Sequence, residues 1–286
     1  MTIRFAHLRE QKMLKLGQHL LPLTERTLIM GILNITPDSF SDGGKYIVPA
    51  DAVAHAEKMV MQGADIIDIG AESTRPGAET VAADVELHRI IPIIEKLAAN
   101  VDVALSVDTY KAEVAEAALQ AGAHMINDIW GLQYDDGMAA VVARYGVPVV
   151  IMHNQVGTHY PGDIICEVKR FLQKSIGIAL NAGIAAKNII VDPGLGFGKT
   201  VEHNIEIMSR LGEFNTLGYP ILLGASRKSM IGKILDLSAP DRVEGTVATT
   251  VMGIMQGIDI VRVHDVLENA RAAKVTDAIV RGNDNG

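Results

Sequence analysis

With a single cysteine, Cys166, in 286 residues, the chain has no internal disulfide to make, and none of its nine histidines stands in a Cys/His zinc-binding spacing. A reducing cytoplasm is therefore the expected setting. Any basic block or Arg-rich stripe is also missing. The 26 Lys and Arg against 34 Asp and Glu leave a net charge of −8, which argues against a nucleic-acid partner. No stretch approaches the ~20 uncharged apolar residues of a membrane helix. Arg4, His7, Arg9, Glu10 and Lys12 precede any apolar run, unlike a secretory signal, so no membrane association is expected. Nothing resembling a low-complexity linker divides the chain.

What the chain has in quantity is apolar residues, 48% of the total, and they recur in short β-branched runs. "TLIMGIL", "ADIIDIG", "VDVALSVD", "HMINDI", "VPVVIM", "NIIVD", "PILLGAS" and "IDIVRVHD" make eight candidate strands, apolar on both faces as strands of a covered parallel sheet are. Between them lie helical faces: Val53, Ala56, Met59 and Val60; Val114, Ala115, Ala118 and Leu119; Val243, Val247, Val251 and Ile254. Gly63, Gly122, Gly146, Gly183 and Gly257 stand where those helices should stop. Eight strands alternating with helices predict an α/β fold, a single (β/α)8 TIM barrel over residues 27–282 with residues 1–26 as a short N-terminal extension. An open doubly wound sheet is the second choice.

Polar residues gather where these strands end: Asn34, Glu72 to Arg75, Ser106 and Asp108, Asn127 and Asp128, His153 and Asn154, Asp192, Ser226 to Ser229, and Arg262, His264 and Asp265. In a barrel those ends form one rim, where active sites of this architecture are built. Capping of the following helices accounts for single Ser, Thr or Asp residues, such as Thr109 or Asp241. It does not account for Arg262 and His264, two apart on one strand face. With Arg227 and Lys228 they make four cationic groups in the last two strand ends, so an anionic ligand, phosphate or pyrophosphate, is expected there.

"DPGLGFGKT", residues 192–200, imitates a phosphate loop, yet GxxxxGK[ST] requires Gly where Pro193 stands, and the dinucleotide spacing is missed too. Asp192 is the better candidate for chemistry. Pro193 biases it toward an extended conformation, and a carboxylate deep in a barrel needs paired N–H donors, as an amidine-like heterocycle edge offers. Lys228 has polar neighbours, which favours hydrogen bonding to an acceptor over a Schiff-base role.

Together with "GILNITPDSFSDGG", "GADIIDIGAESTRPGA", "SVDTYKAEVAEAALQAGAHMINDI", "GASRKSMIG" and "DIVRVHDV", that segment resembles the dihydropteroate synthase family across essentially the whole barrel. The resemblance implies a transferase of folate biosynthesis. It would join 6-hydroxymethyl-7,8-dihydropterin pyrophosphate to p-aminobenzoate in the cytoplasm, as a Mg²⁺-dependent homodimer and sulfonamide target. It further implies that Asp108, Asn127, Met152, Asp192, Phe197 and Lys228 hold the pterin. Asn34, Arg262 and His264 would hold the pyrophosphate, Asn34 as the Mg²⁺ ligand, while Phe40, Thr74, Arg75, Pro76 and Ser229 form the p-aminobenzoate side. Asp42, in a loop able to close over a pterin cation, joins Lys228, Arg262 and His264 as the catalytic set. A corrinoid-dependent methyltransferase barrel and a non-catalytic pterin-binding relative are the competing readings.

Overall fold

The computed structural model describes residues 13–35, 49–72 and 80–282. The chain opens with a small antiparallel hairpin, β1 (Met13–Leu16) and β2 (His19–Pro22). Eight parallel strands follow: β3 (Leu28–Asn34), β4 (Ile66–Gly70), β5 (Ala104–Asp108), β6 (Met125–Asp128), β7 (Val149–Met152), β8 (Ile189–Asp192), β9 (Leu222–Leu223) and β10 (Ile260–Val263). They pair in the order β8-β7-β6-β5-β4-β3-β10-β9, and a parallel bridge between Val191 and Ile221 brings the last neighbour back to β8. The ring is the expected (β/α)8 barrel.

The helices are α1 (Pro49–Met61), α2 (Ala83–Asn100), α3 (Ala112–Gln120), α4 (Met138–Tyr145), α5 (Ile164–Asn181), α6 (Val201–Ser209), α7 (Ser229–Leu235), α8 (Val243–Met255) and α9 (Val266–Val280). Outward strand residues such as Ile67, Ile69, Val107, Ile151 and Val261 pack with the helices in one continuous core. The five glycines expected to stop helices all have left-handed φ, from 65° at Gly146 to 115° at Gly122. None of the helices among the described residues is long and apolar enough to cross a membrane.

Three sequence expectations are refined. The run at 220–226 yields a strand of only two residues, because Pro220 has no N–H to pair and contributes only its carbonyl, which accepts from Val191 N–H at 2.9 Å. The buried face of α8 is Thr246, Thr250, Gly253 and Ile254, while Val243, Val247 and Val251 are half-buried. The threonines go inward because their hydroxyls have partners: Thr250 Oγ1 donates to Asn269 Oδ1 at 2.7 Å, and Thr246 Oγ1 to the Arg242 carbonyl at 2.9 Å. Thr109 and Asp241 cap no helix; the N-terminal Ala112 N–H of α3 is instead met by Asp135 from the following β6–α4 loop at 2.8 Å.

The hairpin gives residues 13–22 a structural place of their own. Burial alternates along β1, with Leu14 and Leu16 buried and Met13 and Lys15 exposed. Leu14, Leu16 and Leu23 pack against Leu28, Met30, Ile66, Ala104, Met125, Val150, Ile190, Leu222 and Ile260, the inward residues at the strand beginnings. The hairpin therefore plugs the N-terminal end of the barrel and leaves the opposite end open for polar groups.

Candidate active site

Strand parity carries the polar residues inward. Two positions beyond the apolar floor residues Ile66, Ala104, Met125, Val150, Ile190 and Ile260 stand Asp68, Ser106, Asn127, Met152, Asp192 and Arg262, with Asp108 one step higher on β5. Arg262 bridges two carboxylates: its Nε donates to Asp68 Oδ2 at 2.6 Å and its Nη2 to Asp108 Oδ2 at 2.6 Å. Asn127 Nδ2 donates to the same Asp68 Oδ2 at 3.0 Å. Three buried oxygens, Asp68 Oδ1, Ser106 Oγ and Asp108 Oδ1, have no hydrogen-bond partner among the described residues. A buried acceptor without a donor is costly in a native core and is expected where a ligand completes the set.

Burial dominates the acid–base behaviour of the site. It pushes the Asp108 carboxyl up to about 7, with Arg262 opposing and Asp68 adding to the rise. Asp192 goes up to about 6, also through burial, opposed by the Gly194 N–H, which donates to Asp192 Oδ1 at 2.7 Å, and by Lys228 and Lys199. Carboxyls this poorly solvated favour a ligand that brings its own N–H donors.

Above this floor the walls are apolar. Tyr110, Ile129 and Met152 form a buried cluster against which Trp130 and Phe197 pack. Lys228, the residue before α7, carries its ammonium 4.1 Å from the centre of the Phe197 ring, a cation–π distance. Gly196, at φ 80°, leaves room for it: a Cβ there would stand 3.0 Å from Lys228 Cδ. Gly194 is equally constrained, since a Cβ would meet the His153 carbonyl oxygen at 1.9 Å.

The lysine of the false phosphate loop turns into the protein. Lys199 Nζ lies 2.7 Å from His153 Nδ1, 2.8 Å from the Gly194 carbonyl and 2.9 Å from the Phe197 carbonyl. Burial brings its amine down to about 7, and burial together with Lys199 brings His153 down to about 3. One side chain thus ties the exit of β7 to the loop after β8 that carries Phe197.

The four-cation corner is corrected in part. Arg227 is paired with Asp265, Nε to Oδ2 at 2.9 Å and Nη2 to Oδ1 at 2.5 Å. His264, whose Nδ1 lies 3.0 Å from Ser226 Oγ, is pushed down to about 3 by burial and by Arg262 and Arg227, so it is neutral here. Of the four, Arg262, itself bridged to Asp68 and Asp108, and Lys228 are the cations nearest the buried acids of the site. Asn34 ends β3 half-buried, and Ser229 is exposed as the first residue of α7. Phe40, Asp42, Thr74, Arg75 and Pro76 lie outside the described residues.

Two features escaped the sequence reading. Asp68 is a lone acid inside "IIDIG", where the strand reads as continuous core. On the rim beside β4, Lys111 Nζ donates to Glu72 Oε2 at 2.5 Å and to the buried Glu86 Oε2 at 2.6 Å, and Tyr110 OH to Glu72 Oε1 at 2.7 Å. That cluster draws on three separated segments, so no local motif announces it.

An acceptor-lined barrel mouth with apolar walls and a cationic edge is the architecture of a pterin-binding enzyme, and residues 30–264 match the family described as pterin binding enzyme. The dihydropteroate synthase of Clostridium beijerinckii is 55% identical over 269 residues, covering 94% of this chain and 100% of that one. A solved dihydropteroate synthase from Clostridium difficile, obtained in the presence of pteroic acid, superposes with a TM-score of 0.89 at 55% identity, covering 94% of this chain and 100% of that chain. The Xanthomonas albilineans enzyme with 4-aminobenzoic acid gives 0.90 at 42% identity, covering 94% and 98%. The chain belongs to the pterin-binding enzyme family, among its dihydropteroate synthases, and is by that membership a transferase.

Proposed function

We infer that this site joins 6-hydroxymethyl-7,8-dihydropterin pyrophosphate to p-aminobenzoate, forming 7,8-dihydropteroate and pyrophosphate. The observation that carries the reading is the gathering of buried Asp108, Asn127 and Asp192 at the same end of the barrel, with Asp108 Oδ1 lacking a donor. An amino-pyrimidine edge supplies adjacent N–H donors for such a set, and Met152 and Phe197 bound its flat faces. The pteroic acid and 4-aminobenzoic acid of the two solved relatives represent the two ends of that product. Sulfonamides, which imitate p-aminobenzoate, are expected inhibitors.

The bond between the pterin methylene carbon and the pyrophosphate oxygen breaks with its electron pair leaving on oxygen. The amine nitrogen then attacks the resulting resonance-stabilised cation and loses a proton to solvent. Arg262 stabilises the departing pyrophosphate more strongly than the ester, which lowers the barrier. His264 serves as a neutral hydrogen-bond donor, and Lys228 holds an acceptor on the ring. The family resemblance assigns Asp42 to the cation and Phe40, Thr74, Arg75, Pro76 and Ser229 to the amine. The arylamine is already nucleophilic, so no general base is assigned.

Mg²⁺ fits this reading through the donor chemistry of Asn34, an amide side chain at a strand end on the rim. A hard cation that keeps most of its waters needs few protein oxygens, and substrate phosphate supplies the rest. When bound, it would neutralise charge on the pyrophosphate. A homodimer is proposed through α8 and α9, which carry Met252, Met255, Val275 and Ile279 exposed, and the cytoplasm is the proposed location.

The test incubates the purified chain with the pterin pyrophosphate and Mg²⁺, with and without p-aminobenzoate, following pyrophosphate release and product mass. Release coupled to dihydropteroate is the expected outcome. Pterin binding with neither release nor product would overturn the reading.

A further inference from the structure

Asp68 is 0% exposed and is nevertheless the point on which two site groups meet. Its Oδ2 accepts from Arg262 Nε at 2.6 Å and from Asn127 Nδ2 at 3.0 Å. These donors come from β10 and β6, on either side of β4 around the ring. Arg262 has five N–H donors, and the two contacts to Asp68 and Asp108 fix the plane of its guanidinium fork. Asn127 has one amide orientation that donates to Asp68, which turns its carbonyl oxygen away from that carboxylate.

We propose that Asp68 is a positioning residue for the reaction, holding the guanidinium of Arg262 and the amide of Asn127 in one fixed relation beneath the bound pterin. The proposal rests on the reading above, in which Arg262 meets pyrophosphate and Asn127 the pterin edge. A carboxylate is suited to this place. Its single oxygen serves both donors, and its charge offsets the guanidinium in a position where an unpaired cation would be strongly disfavoured. An Asn at the same place is nearly isosteric, but its one carbonyl oxygen is a weaker acceptor, and its NH2 group opposes a donor wherever it faces Arg262 or Asn127. The relation between the two site groups is then lost without emptying the core.

The experiment compares Asp68→Asn, Arg262→Ala and the double variant with the parent chain in full-length form. The parent's formation of dihydropteroate is measured first, so failure of the functional reading is seen separately. With the parent active, Asp68→Asn is expected to lower kcat about 10-fold or more and to leave the KM for p-aminobenzoate within about twofold. Because the relation between Arg262 and Asn127 is already lost once the guanidinium is gone, the same change in the Arg262→Ala background is expected to cost less than about threefold in kcat. Its effect on stability reverses there. Arg262→Ala leaves Asp68 and Asp108 as buried carboxylates without their guanidinium, so Asp68→Asn raises the melting temperature of that variant while lowering that of the parent. A merely structural residue would lower stability in both backgrounds. Parent-like kcat in Asp68→Asn, or an undiminished loss in the Arg262→Ala background, would overturn the proposal. If Asp68→Asn does not fold, Arg262→Lys decides the matter. It keeps the charge but has no Nε for Asp68 to hold, and the proposal expects a loss within about threefold of that in Arg262→Gln, whereas parent-like kcat rejects it.

Discussion

Asp192 shows at the residue scale how the site sets ligand binding against stability. Burial lifts its folded carboxyl to about 6 from an ordinary value of 3.8, so the native state binds this proton more tightly than the unfolded chain does. Stability from this group is therefore present at low pH, falls as pH rises from about 4 to about 6, and stays lower above. Asp108, lifted to about 7, acts in the same direction over a window that extends higher. A pterin edge that donates to these carboxylates selects their charged forms and restores what burial withheld. Asp192→Asn is expected to flatten the loss of melting temperature between about pH 4 and pH 6 and to be at least as stable as the parent near pH 8, while kcat/KM for the pterin substrate falls about 100-fold. Thermal unfolding across that range and steady-state kinetics read the two effects. A parent-like kcat/KM would remove Asp192 from the site. Asp192, Asp108, Asn127 and Arg262 were legible in the sequence because each is polar at the end of an apolar strand. Asp68 was not, because one acid inside "IIDIG" is locally indistinguishable from a satisfied core residue, and its partners lie 59 and 194 positions away.

At the scale of elements, the loop after β8 depends on Lys199. Its three contacts, to His153 Nδ1 and to the Gly194 and Phe197 carbonyls, use all the hydrogen-bonding capacity of the amine and fasten the loop from inside. Lys199→Met fills similar space and removes every one of these bonds, at a cost of ~1–3 kcal/mol in stability. Because Phe197 rides on the loop while the residues proposed for p-aminobenzoate belong to other segments of the chain, the KM for the pterin substrate is expected to rise about 10-fold and that for p-aminobenzoate to stay within about twofold. Equal rises in both would show that the loop does not act on the pterin wall. "GLGFGKT" announced a turn-rich loop, and the left-handed φ values at Gly194, Gly196 and Gly198 agree with that. The inward path of the lysine was not legible, because His153 belongs to another strand. The α8 face was misread for a similar reason: periodicity ranks Val above Thr for burial, while the hydroxyl partners that reverse the order come from α9 and from the turn before α8.

For the whole molecule, the eight-strand ring could be read from spacing alone, since each apolar run and glycine stop repeats a local rule. The plug formed by β1 and β2 could not, since Leu14 and Leu16 acquire their meaning only from a barrel end built by residues far along the chain. The proposed assembly surface is legible only in three dimensions as well. Val275 and Ile279, one turn apart on α9, are 62% and 77% exposed, and Met252 and Met255 on the adjoining α8 are 48% and 53% exposed. Four large apolar side chains on two packed helices form a patch that solvent disfavours, and a second copy of the same face would cover it symmetrically. Light scattering is expected to give about twice the 30.7 kDa of one chain, and Val275→Glu combined with Ile279→Glu to return it to one. The polar groups brought together here, Asp68, Asp108, Asn127, Asp192, Lys228 and Arg262, all come from one chain, so the monomeric variant should keep kcat within about threefold. A parent chain that stays monomeric at micromolar concentration would dismiss this face as an interface, and a dimer that survives both charges would move the interface to another surface.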